Sequence, residues 1–227
     1  MKRHIIHDSK PITLIGGAGF DLAALKQVLT VGTNVVAADG GARAALENGL
    51  MPAAVIGDFD SLDAATLNAI PAERLYKITE QKSTDFEKCL SRIEAPLILG
   101  VGFCAGRLDH QLAAFNALLR HPNKRCVLIG AEDLVFLAPP GLTLDLPVAS
   151  RLSLFPMGPV TGRSEGLRWP ISGIRFSPAG ESGTSNEVCG PVRLEFDAAR
   201  MLVLLPRTEF TGLVSALLQT AGKWPVP

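Results

Sequence analysis

The chain has 227 residues, enough for one large domain or two small ones and for a core that needs no covalent staples. Apolar residues make up 47% and charged residues 19%, which excludes an intrinsically disordered chain. Lys and Arg number 22 and Asp and Glu 22, so the formal charge is zero and points to neither a nucleic-acid binder nor a polybasic membrane protein.

From Pro11 to about Ala138, short apolar runs alternate with helical patterns. The runs are Ile12–Ile15, Val35–Ala38, Ala53–Ile56, Leu97–Val101, Cys126–Ile129 and Leu134–Leu137, with a further strand in the Arg74–Ile78 region. Each is nearly continuous in apolar character, as strands covered on both faces are. Between them, Asp21–Leu29 carries the stripe Leu22, Leu25, Val28, Leu29. Asp85–Ile93 carries Phe86, Cys89, Leu90, Ile93, and His110–Leu119 carries Leu112, Phe115, Leu119. Spacings of three and four predict one-faced helices. The alternation predicts an α/β fold with a mostly parallel sheet in residues 1–140. Pro139-Pro140-Gly141 ends that texture. Beyond it, Thr143–Leu146, Arg151–Phe155, Leu167–Ile171, Thr184–Val188, Val192–Phe196 and Met201–Leu205 read as strands separated by turns, Gly190-Pro191 among them. Residues 141–227 are therefore expected to form a smaller all-β sandwich or barrel, with a short helix over Thr211–Ala221.

The four cysteines, Cys89, Cys104, Cys126 and Cys189, form no CxxC pair and read as free thiols of a reducing compartment. Asp8, Ser9, Lys10 and Pro11 cut off the first apolar stretch, and no run reaches the roughly 18 apolar residues of a membrane span. The expectation is a soluble, cytoplasmic protein with no membrane and no nucleic-acid partner.

In an open parallel sheet, ligands sit beyond the carboxyl ends of the strands. Four strand ends carry Asp: Asp39-Gly40-Gly41, Gly57-Asp58-Phe59-Asp60-Ser61, Gln81-Lys82-Ser83-Thr84-Asp85 and Gly106-Arg107-Leu108-Asp109-His110. In extended backbone Asp58 and Asp60 point to one side and Phe59 to the other. Two carboxylates held this close suit Mg²⁺; the plain alternative is that Asp60 or Ser61 caps the helix after Leu62. Thr84 and Glu87 form a capping box whose helix N-terminus also suits phosphate, with Lys88 one turn in. Arg107 forks onto phosphate oxygens or pairs with Asp109, and His110 reads as a polar first-turn residue. Acidic residues for a metal, cations for phosphate and a helix N-terminus together predict a Mg²⁺-dependent enzyme of phosphoryl transfer. Gly16-Gly17-Ala18-Gly19 is neither a dinucleotide fingerprint nor a P-loop.

These segments resemble those of the thiamine pyrophosphokinases (thiamine diphosphokinases). The resemblance is carried by Ala38–Ala42, Pro52–Leu62, Gln81–Leu90, Gly106–His110, Gly166–Ile171 and Gly183–Glu187, in the family's order. It implies an α/β catalytic domain (residues 1–140), a β-sandwich domain for thiamine binding and dimerisation (residues 141–227), and a homodimer. It also implies the reaction thiamine + ATP → thiamine diphosphate + AMP, with Mg²⁺. By the same resemblance Asp58, Asp60 and Asp85 hold the metal and triphosphate. Asp39, Gly40, Gln81, Ser83, Thr84, Lys88, Arg107, Asp109 and His110 line the nucleotide pocket. Trp169, Ser185 and Asn186 lie near thiamine, which in this family binds between subunits. Two alternatives stay open: a phosphohydrolase of the haloacid-dehalogenase type, with Asp58 as nucleophile, and a non-catalytic nucleotide- or thiamine-sensing dimer.

Overall fold

The computed structural model describes residues 4–226, which divide into two compact units. The first takes in the chain to Ala117 together with Leu128–Ala131, and the second Leu118–Val127 with the chain from Glu132 onward. In chain order the elements are β1 (Ile6–His7), β2 (Ile12–Ile15), α1 (Leu22–Leu29), β3 (Asn34–Ala38), α2 (Gly41–Glu47), β4 (Ala54–Gly57) and α3 (Ala64–Ala69). Then come β5 (Leu75–Lys77), α4 (Asp85–Leu90), β6 (Ile93–Glu94), β7 (Ile98–Val101), α5 (Leu108–Arg120), β8 (Cys126–Ile129) and β9 (Asp133–Leu137). The rest is β10 (Gly141–Leu144), β11 (Arg151–Pro156), β12 (Gly162–Leu167), β13 (Gly183–Phe196), β14 (Met201–Pro206) and α6 (Phe210–Gln219).

The first unit is built on parallel strands in the order β7-β2-β3-β4-β5. Every residue of β2, β4 and β7 is buried, which is why their sequences run apolar without alternating. All five strands run the same way, so their carboxyl ends share one rim. β2 and β7 meet there through Gly16 N–H on Val101 O (2.8 Å) and Ala18 N–H on Gly102 O (3.1 Å), which gives the glycine-rich run after β2 a structural place.

Two helical stripes need correction. Leu22 and Leu112 are both more than half exposed, whereas Leu25 and Val28 on α1, and Ala114, Ala117 and Leu118 on α5, are buried. On α5 the buried face is made of Ala114, Ala117 and Leu118, and the stripe predicted through Leu112 sits on the wrong side. α4 also ends earlier than predicted. Ser91 caps it, and Ile93 pairs with Ile6 in the parallel β1–β6 ribbon.

The second unit is antiparallel, with β13 pairing β10, β11 and β12, and β14 pairing β11 and β9. The predicted strands Thr184–Val188 and Val192–Phe196 are one strand, β13. Gly190-Pro191 is not a turn. It marks where β13 passes from β11 (Arg151↔Glu187) to β10 (Leu144↔Val192). Opposite it, Gly166 sits at φ +73°, and a Cβ there would lie 2.1 Å from Pro191 O. The predicted strand Leu167–Ile171 is absent: β12 ends at Leu167, and Pro170 has no N–H to continue a ladder.

The chain after α6 is held by its own unit. Arg125 Nη2 donates to Thr220 O and to Gly222 O (3.2 Å), and Trp224 Nε1 donates to Ala138 O at 2.7 Å. Replacing Arg125 with Ala should therefore free the segment after α6, read as limited proteolysis across residues 220–224 that is faster by about tenfold, while amide exchange in α6 stays unchanged.

Candidate active site

The rim of the first unit gathers most of the acidic residues singled out above. Asp39 follows β3 and Asp58 follows β4, its neighbour in the sheet. Asp39 N–H closes that pairing on Ile56 O at 3.1 Å. One carboxylate oxygen each from Asp39, Asp58 and Asp60 lies within 4.8 Å of the others. The alternative role of Asp60 and Ser61 as helix caps is not realised: Asp63 caps α3, accepting from Thr66 N–H at 2.7 Å. Phe59 packs against the Ala37–Ala42–Val55–Ile70 cluster, but at φ +69° it sits in a left-handed turn beyond the end of β4, so the extended alternation predicted for Asp58-Phe59-Asp60 is not the backbone that brings the carboxylates together.

Asp85 is held by a cation. Lys88 Nζ lies 2.9 Å from Asp85 Oδ1 and 3.0 Å from Asp58 Oδ2, and the Lys88 side chain is only 2% exposed. Burial disfavours the ammonium, but the bonds to Asp85 and Asp58 outweigh it and hold its pKa above the ordinary lysine value. Burial likewise pushes the Asp58 carboxyl up, and the bonds from Lys88 and from Gln81 Nε2 (3.0 Å) more than offset it, leaving Asp58 below its usual range. Asp85 goes the other way. Its burial dominates over the Lys88 bond, the charges of Asp39 and Asp58 add to it, and its pKa rises. Asp58 Oδ1 is buried and accepts no hydrogen bond. A carboxylate oxygen out of water with no donor is poorly satisfied unless a cation takes the lone pair, and hard carboxylate oxygens in a cluster fit Mg²⁺.

The N-cap half of the predicted capping box forms: Thr84 Oγ1 accepts from Glu87 N–H at 3.3 Å and opens α4. Behind it Cys89, fully buried, points its Sγ at Ile56 O (3.8 Å), and burial pushes its thiol far up, so it is inert packing. Ser83 Oγ donates to Glu80, so the 80–83 loop is tied to itself. Gly40 opens α2. Arg107 and Asp109 form a forked pair, Nε to Oδ1 at 3.1 Å and Nη2 to Oδ2 at 2.6 Å, on the exposed start of α5, where His110 is also exposed.

Two features were not read from the sequence. The sequence suits Lys88 to a phosphate, yet its ammonium is committed to two carboxylates, Asp58 and Asp85. Asp39, which the resemblance places at the nucleotide, also lies together with Asp58 and Asp60. The signal for Asp39 was present: consecutive parallel strands that both end in Asp put those residues side by side.

Comparison with known proteins bears on this geometry directly. Residues 25–129 match the family model "Thiamin pyrophosphokinase, catalytic domain", a span that runs from α1 through β8 and contains every acidic residue of the rim. Thiamine pyrophosphokinase 1 of Arabidopsis thaliana is 28% identical over 163 residues, covering 63% of this chain and 61% of the plant protein. Thiamine pyrophosphokinase 1 of Oryza sativa subsp. japonica is 30% identical over 156 residues, covering 60% and 59%. The matched region thus spans about three-fifths of these relatives' length. In fold, the thiamin pyrophosphokinase from Candida albicans superposes with a TM-score of 0.73 at 16% identity, over 88% of this chain and 92% of that one. The yeast thiamin pyrophosphokinase superposes with 0.72 at 18% identity, over 95% and 90%. The chain is similar to the thiamin pyrophosphokinases.

The structural likeness is one of fold, and the sequence match lies on the site. Neither the dehalogenase-type reading nor the non-catalytic one is favoured by these comparisons. Of the residues that the thiamin pyrophosphokinase resemblance assigns outside the first unit, Trp169 is 54% exposed, so it is not core packing. Asn186, itself buried, accepts from Trp169 N–H (3.2 Å) and donates to Trp169 O (2.7 Å), replacing the strand that ends at Leu167. The Arg168 guanidinium stands 5.0 Å from the indole centroid. Ser185 sits at a bulge of β13 with φ +61°, where its N–H donates to Ser153 Oγ at 3.0 Å.

The opposite shifts of Asp58 and Asp85 have a sign that can be checked. Asp58 contributes stability above pH 3.8 that is lost as the pH falls through its lowered native value. Asp85 contributes stability below pH 3.8 that is lost as the pH rises through its raised native value. Carboxyl-carbon NMR titration should therefore show Asp85 protonating before Asp58 on acidification. At neutral pH, Asp58→Asn should lower unfolding stability by about 1.5–3 kcal/mol, the range for a hydrogen bond to a charged group, and Asp85→Asn by clearly less.

Proposed function

We propose that this chain is a thiamine diphosphokinase, transferring the terminal two phosphates of ATP to the hydroxyl of thiamine. The observation that carries the reading is the rim cluster of Asp39, Asp58 and Asp60, with a buried and unbonded Asp58 oxygen, inside the stretch that matches the catalytic-domain model. In the overall change the thiamine oxygen bonds to the β-phosphorus, the bond from that phosphorus to the α–β bridging oxygen breaks, AMP leaves with the electron pair, and the hydroxyl proton is released.

Little covalent work falls to the protein, and positioning alone is worth ~7–11 kcal/mol. Asp58 and Asp60, joined by Asp85 in the family pattern, would hold Mg²⁺, which when bound neutralises negative charge on the transferring phosphates. Lys88 bonds to both Asp58 and Asp85 and orients them. The Arg107 fork, 70% exposed and now on Asp109, is free to turn to a triphosphate oxygen. Gly40, Gln81, Ser83, Thr84 and His110 border the nucleotide in this reading. Trp169, with Ser185 and Asn186 shaping its surroundings, offers an indole face to the thiazolium. Arg168 already uses that face as a cation would, an interaction worth roughly 0.5–2 kcal/mol. The first unit would serve as the catalytic domain and the second as the thiamine-binding, dimer-forming one, in a cytoplasmic homodimer.

Incubation with ATP, Mg²⁺ and thiamine, followed by mass detection, should yield thiamine diphosphate and AMP in equal amounts. Asp58→Asn and Asp60→Asn should each lower turnover by roughly 10²–10³-fold, the scale of removing one group aimed at transition-state charge. AMP release at near-normal rates in both variants would refute the site.

A further inference from the structure

Asp39 differs from the other two carboxylates of the cluster in what it touches. It is 2% exposed, and both its oxygens are already engaged by the loop that follows β4. Oδ1 accepts from Phe59 N–H at 2.9 Å and Oδ2 from Ser61 N–H at 3.2 Å. These two donors flank Asp60 and follow Asp58, so the carboxylate grips the backbone at alternate residues of the segment that presents the pair. The grip holds an unfavourable conformation. Phe59 is a non-glycine residue at φ +69°, and Asp39 itself lies at φ +42°. Room for the grip comes from Gly57: a Cβ there would fall 2.7 Å from Asp39 Cβ and 2.9 Å from its Oδ1.

We propose that Asp39 is a positioning residue, a backbone clamp that sets the Asp58–Asp60 pair at cation-binding separation, and not itself a ligand of the cation or a contact of the nucleotide. The inference rests on the cation reading above. Outer partners that orient ligands typically alter metal affinity by 10–100-fold when removed. In Asp39→Asn one amide oxygen can still accept, but the NH₂ faces the other N–H, so one of the two loop bonds is lost. Gly57→Ala leaves all three carboxylates in the chain and displaces Asp39 by sterics alone.

The test uses Mn²⁺ as the probe, with affinity read by electron paramagnetic resonance. Amide exchange of residues 57–62 is read in the cation-free protein. Asp39→Asn and Gly57→Ala should both speed exchange in 57–62 and weaken Mn²⁺ binding 10–100-fold, with melting temperatures that still report a folded chain. If Asp39→Asn loses Mn²⁺ while exchange of 57–62 stays as in the parent, Asp39 is a direct ligand and the clamp is overturned. It is equally overturned if both variants bind Mn²⁺ like the parent. A parent chain that fails to bind Mn²⁺ refutes the cation reading and the clamp's purpose with it. A parent that binds Mn²⁺ but makes no thiamine diphosphate refutes the substrate reading alone.

Discussion

A lysine ammonium with 2% of its surface exposed is a large debt unless anions meet it, and Lys88 meets two. Asp58 comes from the end of β4 and Asp85 from the first turn of α4, so this ion triad ties a strand end to a helix start. The same helix lays Phe86, Cys89 and Leu90 into the core, with the Cys89 thiol against Ile56 O on β4. Apolar packing and charge pairing thus fix α4 in one register. The residues beyond β4 then have a defined base from which Asp58 and Asp60 project. The two carboxylates bound to Lys88 are driven in opposite directions, Asp58 more acidic and Asp85 less, because burial wins at one and hydrogen bonding at the other.

Around this triad, the strand ends supply different parts. β3 brings Asp39, whose acceptors are spent on backbone N–H groups, and β4 brings the pair that keeps a lone pair free. The 80–83 loop brings Gln81 onto Asp58. Beyond β7, Arg107 and Asp109 pair in solvent, where such a pair is worth little in stability and is easily exchanged for another partner. The site grades from buried and committed to exposed and exchangeable, which suits holding a metal at its base and phosphates at its rim.

Much of the first unit was legible because its strands are buried on both faces and its turns carry glycine and proline. β2 and β8 have the boundaries that hydrophobic runs predict, and the Thr84 cap follows from side-chain chemistry alone. What failed did so for identifiable reasons. Leu112 was placed inward because leucine outranks alanine in an apolar count, while close helix packing chose Ala114 and Ala117. Leu167–Ile171 looked extended and apolar, but Pro170 removes a donor and Asn186 takes over both backbone groups of Trp169. Gly190-Pro191 looked like a turn, yet a long strand that changes partners needs the same residues. The acidic motifs point to the residues that gather at the rim. Their division of labour, with Lys88 buried and Asp39 gripping a loop, depends on which strand lies beside which.

The placement of the two indoles has an optical consequence. The chain has two tryptophans and one tyrosine, and Trp169 and Trp224 both lie in the second unit while Tyr76 lies on β5 of the first. Light emitted on excitation at the red edge of the indole band therefore comes from the second unit alone. A melt followed this way would stay dark to any loosening of the acidic rim, and only the lone phenol, or a label placed there on purpose, would register it.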